Sequence, residues 1–217
     1  TKMIHNLIEN NDTIIRGVIS SCRPEKNNFQ DMIQYADSQR LIKGFRRVLH
    51  VAPDNTAGSD QFKNNIKLLS NTMLTFDLCA FPHQNPEIME LIDFCPKVTF
   101  ILDHCGVPNI KKGDFNVWKK GISELAQRDN LFCKISGIIA YGDNKIWTLD
   151  DIKPYFEHVV NSFGFKRIIW GSDSPVCDLG GGIETWVAAT YLMTQDWSNE
   201  EKKNFFWSNA INLWDLK

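Results

Sequence analysis

The stretch Phe100-Ile101-Leu102-Asp103-His104-Cys105-Gly106-Val107-Pro108 runs three apolar residues into an acid and a histidine, then into a glycine and a proline that turn the chain. A short apolar run bounded by turn residues has the character of a strand buried on both faces. Five further segments read the same way: Ile14 to Ser21, Ile42 to His50, Leu74 to Phe81, Leu131 to Ser136 and Arg167 to Ser172, with the quoted strand extending from Val98 to His104. Each is followed by a stretch with helical period. Ile88, Leu91, Ile92 and Cys95 fall at i, i+3, i+4, i+7, and Trp118, Ile122 and Leu125 at i, i+4, i+7, so each set lines one helix face. Gly164 reads as a helix stop, Ser198-Asn199-Glu200-Glu201 as the capping box of a final helix, and the opening run from Thr1-Lys2-Met3 as another helix.

Alternation of β and α requires crossover helices and a mainly parallel sheet. Two architectures meet that requirement, an open doubly wound sheet and a (β/α)8 barrel. A dinucleotide-binding sheet places a glycine-rich turn after its first strand, whereas the chain after Ser21 reads Cys22-Arg23-Pro24-Glu25-Lys26. Nearly every strand ends in a group capable of chemistry: Arg46, Arg47 and His50; His83; Asp103 and His104; Lys134 and Ser136; Asp173. That placement is expected of a barrel whose C-terminal rim carries the active site. Units of about 30 residues fill the 217-residue chain six times, against the roughly 250 residues of a complete barrel. The expectation is one α/β domain over residues 1–217, a TIM-type barrel incomplete at about six parallel strands.

With 43% hydrophobic and 23% charged residues and a formal net charge of −2, the chain is neither disordered nor equipped with the basic footprint that nucleic acid or anionic membrane requires. Its apolar stretches are broken by charges well short of the about 20 residues that span a bilayer. The six cysteines, Cys22, Cys79, Cys95, Cys105, Cys133 and Cys177, form no CxxC pair and sit in apolar contexts, which points to buried reduced thiols in a cytoplasmic protein.

Asp103-His104 at a strand end suits a metal ligand or a proton-transfer imidazole with an orienting partner; the alternative is a histidine that hydrogen-bonds the rim. In Ile168-Ile169-Trp170-Gly171-Ser172-Asp173-Ser174-Pro175-Val176, alternation puts Asp173, Gly171 and Ile169 on one face. Asp173 can bind a cation, take a proton from water, or cap the following turn. Arg46 and Arg47 point to opposite faces, so one of them reaches the barrel mouth, where a guanidinium would clamp a carboxylate or carbonyl. Pro82 should end its strand and leave His83 on a rim loop, beyond Asp77. His5 and His158, in helical stretches, read as structural.

Asp103-His104-Cys105-Gly106 with Pro108, Cys133-Lys134-Ile135-Ser136-Gly137, Phe163-Gly164, Trp170-Gly171-Ser172-Asp173-Ser174-Pro175-Val176 and Asn209-Ala210, in this order, resemble the amidohydrolase-2 family, and within it the sugar lactonases of the fuconolactonase and rhamnonolactonase group. Gly44-Phe45-Arg46-Arg47-Val48-Leu49 and Phe76-Asp77-Leu78 fit as well, so the resemblance spans essentially the whole chain. It implies a (β/α)8 barrel and a hydrolase opening a sugar lactone or similar cyclic ester. The other readings on this scaffold are a decarboxylase or hydratase, and a catalytically inactive truncated barrel. Carried over, the resemblance makes His104 and Asp173 catalytic, and the metal ligands if a zinc-like divalent cation binds. Arg46, His83 and Lys134 become substrate contacts. The family commonly has Trp where Ser174 stands, and its first strand bears a His-x-His pair that occurs nowhere here. The expectation is that the first two βα units lie outside this sequence and that metal binding is weak or absent with two side-chain ligands. Open sheet edges would drive self-association.

Overall fold

The computed structural model describes residues 14–143 and 146–216. The helix expected from Thr1 onward, and His5 within it, lie outside the described residues. Six strands, β1 (Val18–Ser21), β2 (Ile42–Val48), β3 (Thr75–Cys79), β4 (Phe100–Leu102), β5 (Leu131–Ser136) and β6 (Ile168–Gly171), are hydrogen-bonded in sequence order. Every neighbouring pair is parallel. The connecting helices are α1 (Phe29–Asp37), α2 (Asp60–Lys67), α3 (Asn85–Phe94), α4 (Phe115–Leu125), α5 (Leu149–Phe163) and α6 (Gly182–Met193). The chain ends in α7 (Asn199–Lys203), a π turn (Asn204–Ser208) and α8 (Asn209–Trp214). This is an incomplete (β/α) barrel of six units. No helix among the described residues is long and apolar enough to cross a membrane.

Strand alternation divides the chemistry between two faces. Phe45, Phe76 and Phe100 lie in register across β2, β3 and β4, fully buried toward the helices, with Phe62 of α2 edge-on to Phe76 at 5.9 Å and Phe29 of α1 edge-on to Phe45 at 5.3 Å. Each such ring contributes about 1.5–3 kcal/mol by leaving water. The residues one step along, Arg46 and Asp77, are likewise in register and point the opposite way, into the barrel. Ile88, Leu91, Ile92 and Cys95, and Trp118, Ile122 and Leu125, are buried as their spacing predicts.

β5 has the expected bounds, and the other five strands are shorter than expected, β1 at its start and β2, β3, β4 and β6 at their C-terminal ends; turns at Leu49–Val51, Pro82–Gln84, Asp103–Gly106, Ile138–Tyr141 and Val176–Gly180 carry most of the rim. α5 stops at Gly164, whose φ of 69° is costly for any residue with a Cβ. Ser198 and Glu201 form the capping box of α7, Ser198 N donating to Glu201 Oε2 at 2.7 Å. Asn209 of α8 donates from Nδ2 to the carbonyls of Phe165 and Ile168, both at 2.8 Å, and so ties the last helix to β6. Asn209→Ala removes both bonds and leaves two carbonyls short of a donor. The expected outcome is a loss of about 1–3 kcal/mol in urea unfolding, and no loss would disprove the clamp.

Candidate active site

Two residues at strand ends adopt backbone conformations that side chains ordinarily avoid. His104, just past β4, has φ 51°, and Asp173, just past β6, has φ 56°. Left-handed backbone at non-glycine residues costs about 1 kcal/mol or more and persists where the surroundings over-determine it. Those surroundings are visible. Trp118 of α4 donates Nε1 to the carbonyl of Cys105 at 2.8 Å, and Trp186 of α6 donates to the carbonyl of Gly171 at 2.8 Å. Gly137, at φ 55°, lets the turn after β5 close on Asp173; a methyl group there would come within 2.5 Å of Asp173 Oδ2. The alternation expected through Asp173 therefore stops at Gly171, and a left-handed turn delivers the carboxylate.

The result is a contact between elements far apart in sequence. His104 Nδ1 lies 2.8 Å from Ser136 Oγ and 3.2 Å from Asp173 Oδ2. The second contact lacks hydrogen-bond geometry, so Asp173 Oδ2 is buried with no hydrogen-bond partner. Burial lowers the His104 pKa to about 4, with Asp103 opposing and Lys134, Arg46 and His50 adding to the effect. Burial raises that of Asp173 to about 6, with Asp103 adding and Arg46 and Lys134 opposing. At neutral pH the pair is a neutral imidazole beside a carboxylate.

Beneath them lies a buried ion network. Lys134 Nζ is 2.7 Å from Asp77 Oδ2 and 2.7 Å from Asp103 Oδ1, and Arg46 Nη1 approaches Asp103 Oδ2 to 3.7 Å. Both carboxylates are essentially without solvent exposure. Burial works against the Lys134 ammonium, but the two carboxylates outweigh it and raise its pKa. Burial pushes Asp77 up, with Lys134 opposing. Arg47 turns to the outer side and pairs with Glu25 at 2.8 Å, so of the two arginines Arg46 is the one facing the interior.

Arg46, His104, Lys134 and Asp173 thus converge. His83 does not join them: it sits on the rim, 64% exposed, 3.5 Å from Asp54. It does line, with Phe81, Val107, Asn109, Trp118 and Tyr141, a cleft of about 610 Å³ that opens beside the His104 turn. His158 bonds the carbonyl of Lys119 and the hydroxyl of Ser123, a structural link between α4 and α5. Asp77, Cys79 and Tyr141 were given no role in the site by sequence. The register Arg46↔Asp77 carries the signal for the first, because opposite charges on adjacent strands share a face.

The ligand atoms of Cys79, Asp103 and His104 lie within 4.8 Å of one another, all three residues buried. Asp103 Oδ2 has no hydrogen-bond partner. A buried, unpartnered carboxylate oxygen grouped with an imidazole and a thiol fits a divalent cation such as zinc. Burial keeps the Cys79 thiol protonated in the absence of a cation, its pKa raised to about 12 with Asp103 adding.

The chain is similar to known proteins along its length. It is 31% identical over 207 residues to the uncharacterized protein y4mH of Sinorhizobium fredii, covering 91% of this chain and 69% of that protein. It is 34% identical over 148 residues to L-fucono-1,5-lactonase of Burkholderia ambifaria, covering 64% of this chain and 48% of the enzyme. To L-rhamnono-gamma-lactonase of Scheffersomyces stipitis it is 24% identical, covering 81% of this chain and 60% of the enzyme. The chain therefore spans about half to three fifths of the lengths of these lactonases. A crystal structure of an amidohydrolase from Burkholderia multivorans with bound zinc superposes on the whole chain with a TM-score of 0.91 at 20% identity, covering 79% of that protein. The amidohydrolase family profile matches residues 3–216, and the chain belongs to that family.

Proposed function

We propose that the site opens a lactone by attack of water, the relatives' sugar lactones being the substrates to try first. The observation that supports this reading is the approach of His104 Nδ1 and Asp173 Oδ2 to 3.2 Å at strained strand ends, with Asp173 Oδ2 left unpartnered. Water placed at Asp173 loses a proton to the carboxylate as its oxygen bonds to the lactone carbonyl carbon. Arg46 and the neutral His104 orient the carbonyl, and Lys134 with Arg46 offsets the negative charge developing on its oxygen. The ring C–O bond then breaks, and the proton held by Asp173 passes to the departing oxygen to give the hydroxy acid. His83 at the cleft mouth contacts the substrate body. A divalent cation held by Cys79, Asp103 and His104 would supply further polarisation of the carbonyl and a more acidic water.

We extend the proposal to the chain's setting. Residues 1–217 act as one barrel domain. Six buried free cysteines support a reducing, cytoplasmic compartment. Among the described residues β1 and β6 stand at the two ends of the sheet, a position that favours association with a second copy.

Four outcomes are expected. Asp173→Asn keeps the shape and removes the base; lactone hydrolysis followed by proton release should fall at least a hundredfold, and a loss within about tenfold, roughly 1.4 kcal/mol, would remove the assigned role. Because the base must be ionised, kcat/KM should rise with pH through about 6 and level off above it, following the raised pKa of Asp173. A rate that falls across that range contradicts the assignment. Lys134→Met strands Asp77 and Asp103 without their cation and should cost about 3–5 kcal/mol of stability in addition to activity, read by denaturant unfolding. In sedimentation, the chain should show a concentration-dependent dimer or larger species, and a clean monomer at high concentration would exclude self-association.

A further inference from the structure

The segments that follow β3, β4 and β5 stand side by side in the middle of the sheet, and between them and α4 lies the cleft of about 610 Å³ beside the His104 turn. That volume falls within the about 300–1,000 Å³ of small-molecule sites. Its walls are mainly apolar: Phe81 follows β3, Val107 the His104 turn, Tyr141 closes the turn after β5, and Val117 and Trp118 belong to α4. Two of these residues join the cleft to the site. Val107 ends the His104 turn, and Tyr141 ends the turn whose Gly137 packs on Asp173.

The walls are preformed. Trp118 is fixed by its bond to the Cys105 carbonyl and by the Tyr155 ring, 4.8 Å away between centroids. Phe81 packs against the rings of His50 at 4.9 Å and His83 at 5.9 Å. Yet Phe81 is 38% exposed and Val117 70% exposed. A valine so exposed adds little burial energy to the fold, and a ligand seated on it would take it out of water.

Charge narrows what that ligand can be. Among the described residues that line the cleft there is no lysine or arginine; Asp114 supplies a carboxylate, and His83 and Asn109 the other polar side chains. Lys111, nearby in sequence, is drawn to Asp143 at 3.6 Å. Arg46 and Lys134 face Asp103 and Asp77 at the reacting end. Burial keeps the Tyr141 phenol protonated, with Asp173 adding to the effect, so that wall is uncharged. A carboxylate entering here would lose its water, meet Asp114 and find no cation. Hydroxyls pressed on the apolar walls would go without partners. An aryl or branched alkyl group would gain by burial and by contact with the rings.

We propose that the site takes neutral lactones whose ring bears an apolar substituent, aryl or branched alkyl, seated between Phe81 and Val117, and that it discriminates against carboxylated and hydroxyl-rich substituents. The proposal rests on the lactone-hydrolase reading for the reaction, which the relatives suggest; the preference for the substituent belongs to the cleft and holds without turnover.

The test is a matched series on the 217-residue protein: γ-butyrolactones with phenyl, hydroxymethyl or carboxylate at the γ carbon, assayed for hydrolysis, and the corresponding lactams, which resist hydrolysis, titrated by calorimetry. The phenyl compound should exceed the hydroxymethyl one at least tenfold, and the carboxylate at least a hundredfold, in kcat/KM and in lactam affinity. Val117→Asp, on an exposed helix position, should cut the affinity for the phenyl lactam at least tenfold, and Val117→Arg should raise that for the carboxylated lactam at least tenfold. Equal affinities across the series, tighter binding of the hydroxymethyl or carboxylated lactam, or no saturable binding of the phenyl lactam would each overturn the proposal. A phenyl lactam that binds best while no lactone is opened would count against the reaction and leave the cleft's preference standing.

Discussion

Lys134 held between Asp77 and Asp103 is the constraint on which the rest of the site depends. The three groups come from β5, β3 and the turn after β4, so their two contacts of 2.7 Å join β5 by charge to the end of its neighbour β4 and, across β4, to β3. A buried ion arrangement of this kind is not a strong source of net stability, because desolvation offsets much of the attraction. Its effect is selective: any register that separates Lys134 from either acid leaves a charge in the interior without compensation. The same charges set the field at the rim. Burial raises the Asp173 pKa, Asp103 adds to the rise and Arg46 and Lys134 counter it, so the network that fixes the strands also adjusts the pH at which the carboxylate ionises.

Around that network the two faces of each strand do different work. The outer row, Phe45, Phe76 and Phe100, is apolar and buried against helices; the inner row carries Arg46, Asp77 and Lys134. Burial energy comes from one face, and the other is left free to hold ionised groups. The strained backbone at His104 and Asp173 sits where the apolar packing ends, and the helix layer stabilises it through side chains that reach over the strand ends.

Much of this was legible in the amino-acid pattern. The six strands, their parallel order and the concentration of chemistry at their C-terminal ends follow from apolar runs punctuated by polar residues, and the opposed directions of Arg46 and Arg47 follow from alternation. The strand ends were not legible, because φ values of 51° at His104 and 56° at Asp173 depend on tertiary support from Trp118, Trp186 and Gly137 that no local propensity encodes. Asp77 reads as an ordinary acid within an apolar strand until Lys134, 57 residues later, is brought to 2.7 Å. Cys79 reads as one more buried thiol until His50 and Asp103 surround it.

The indole bonds have an optical consequence. Trp118, Trp186 and also Trp147, which donates to the carbonyl of Gly180 at 2.8 Å, account for three of the seven tryptophans, and each pins backbone at the barrel rim: the turn after β4, the end of β6 and the turn after β6. Rim loops open with lower free energy than a barrel core unfolds. Indole emission responds to the loss of an N–H acceptor, so intrinsic fluorescence in this chain is weighted toward the rim. A fluorescence transition that precedes the loss of helical circular dichroism would report the site coming apart while the aromatic layer between strands and helices still stands.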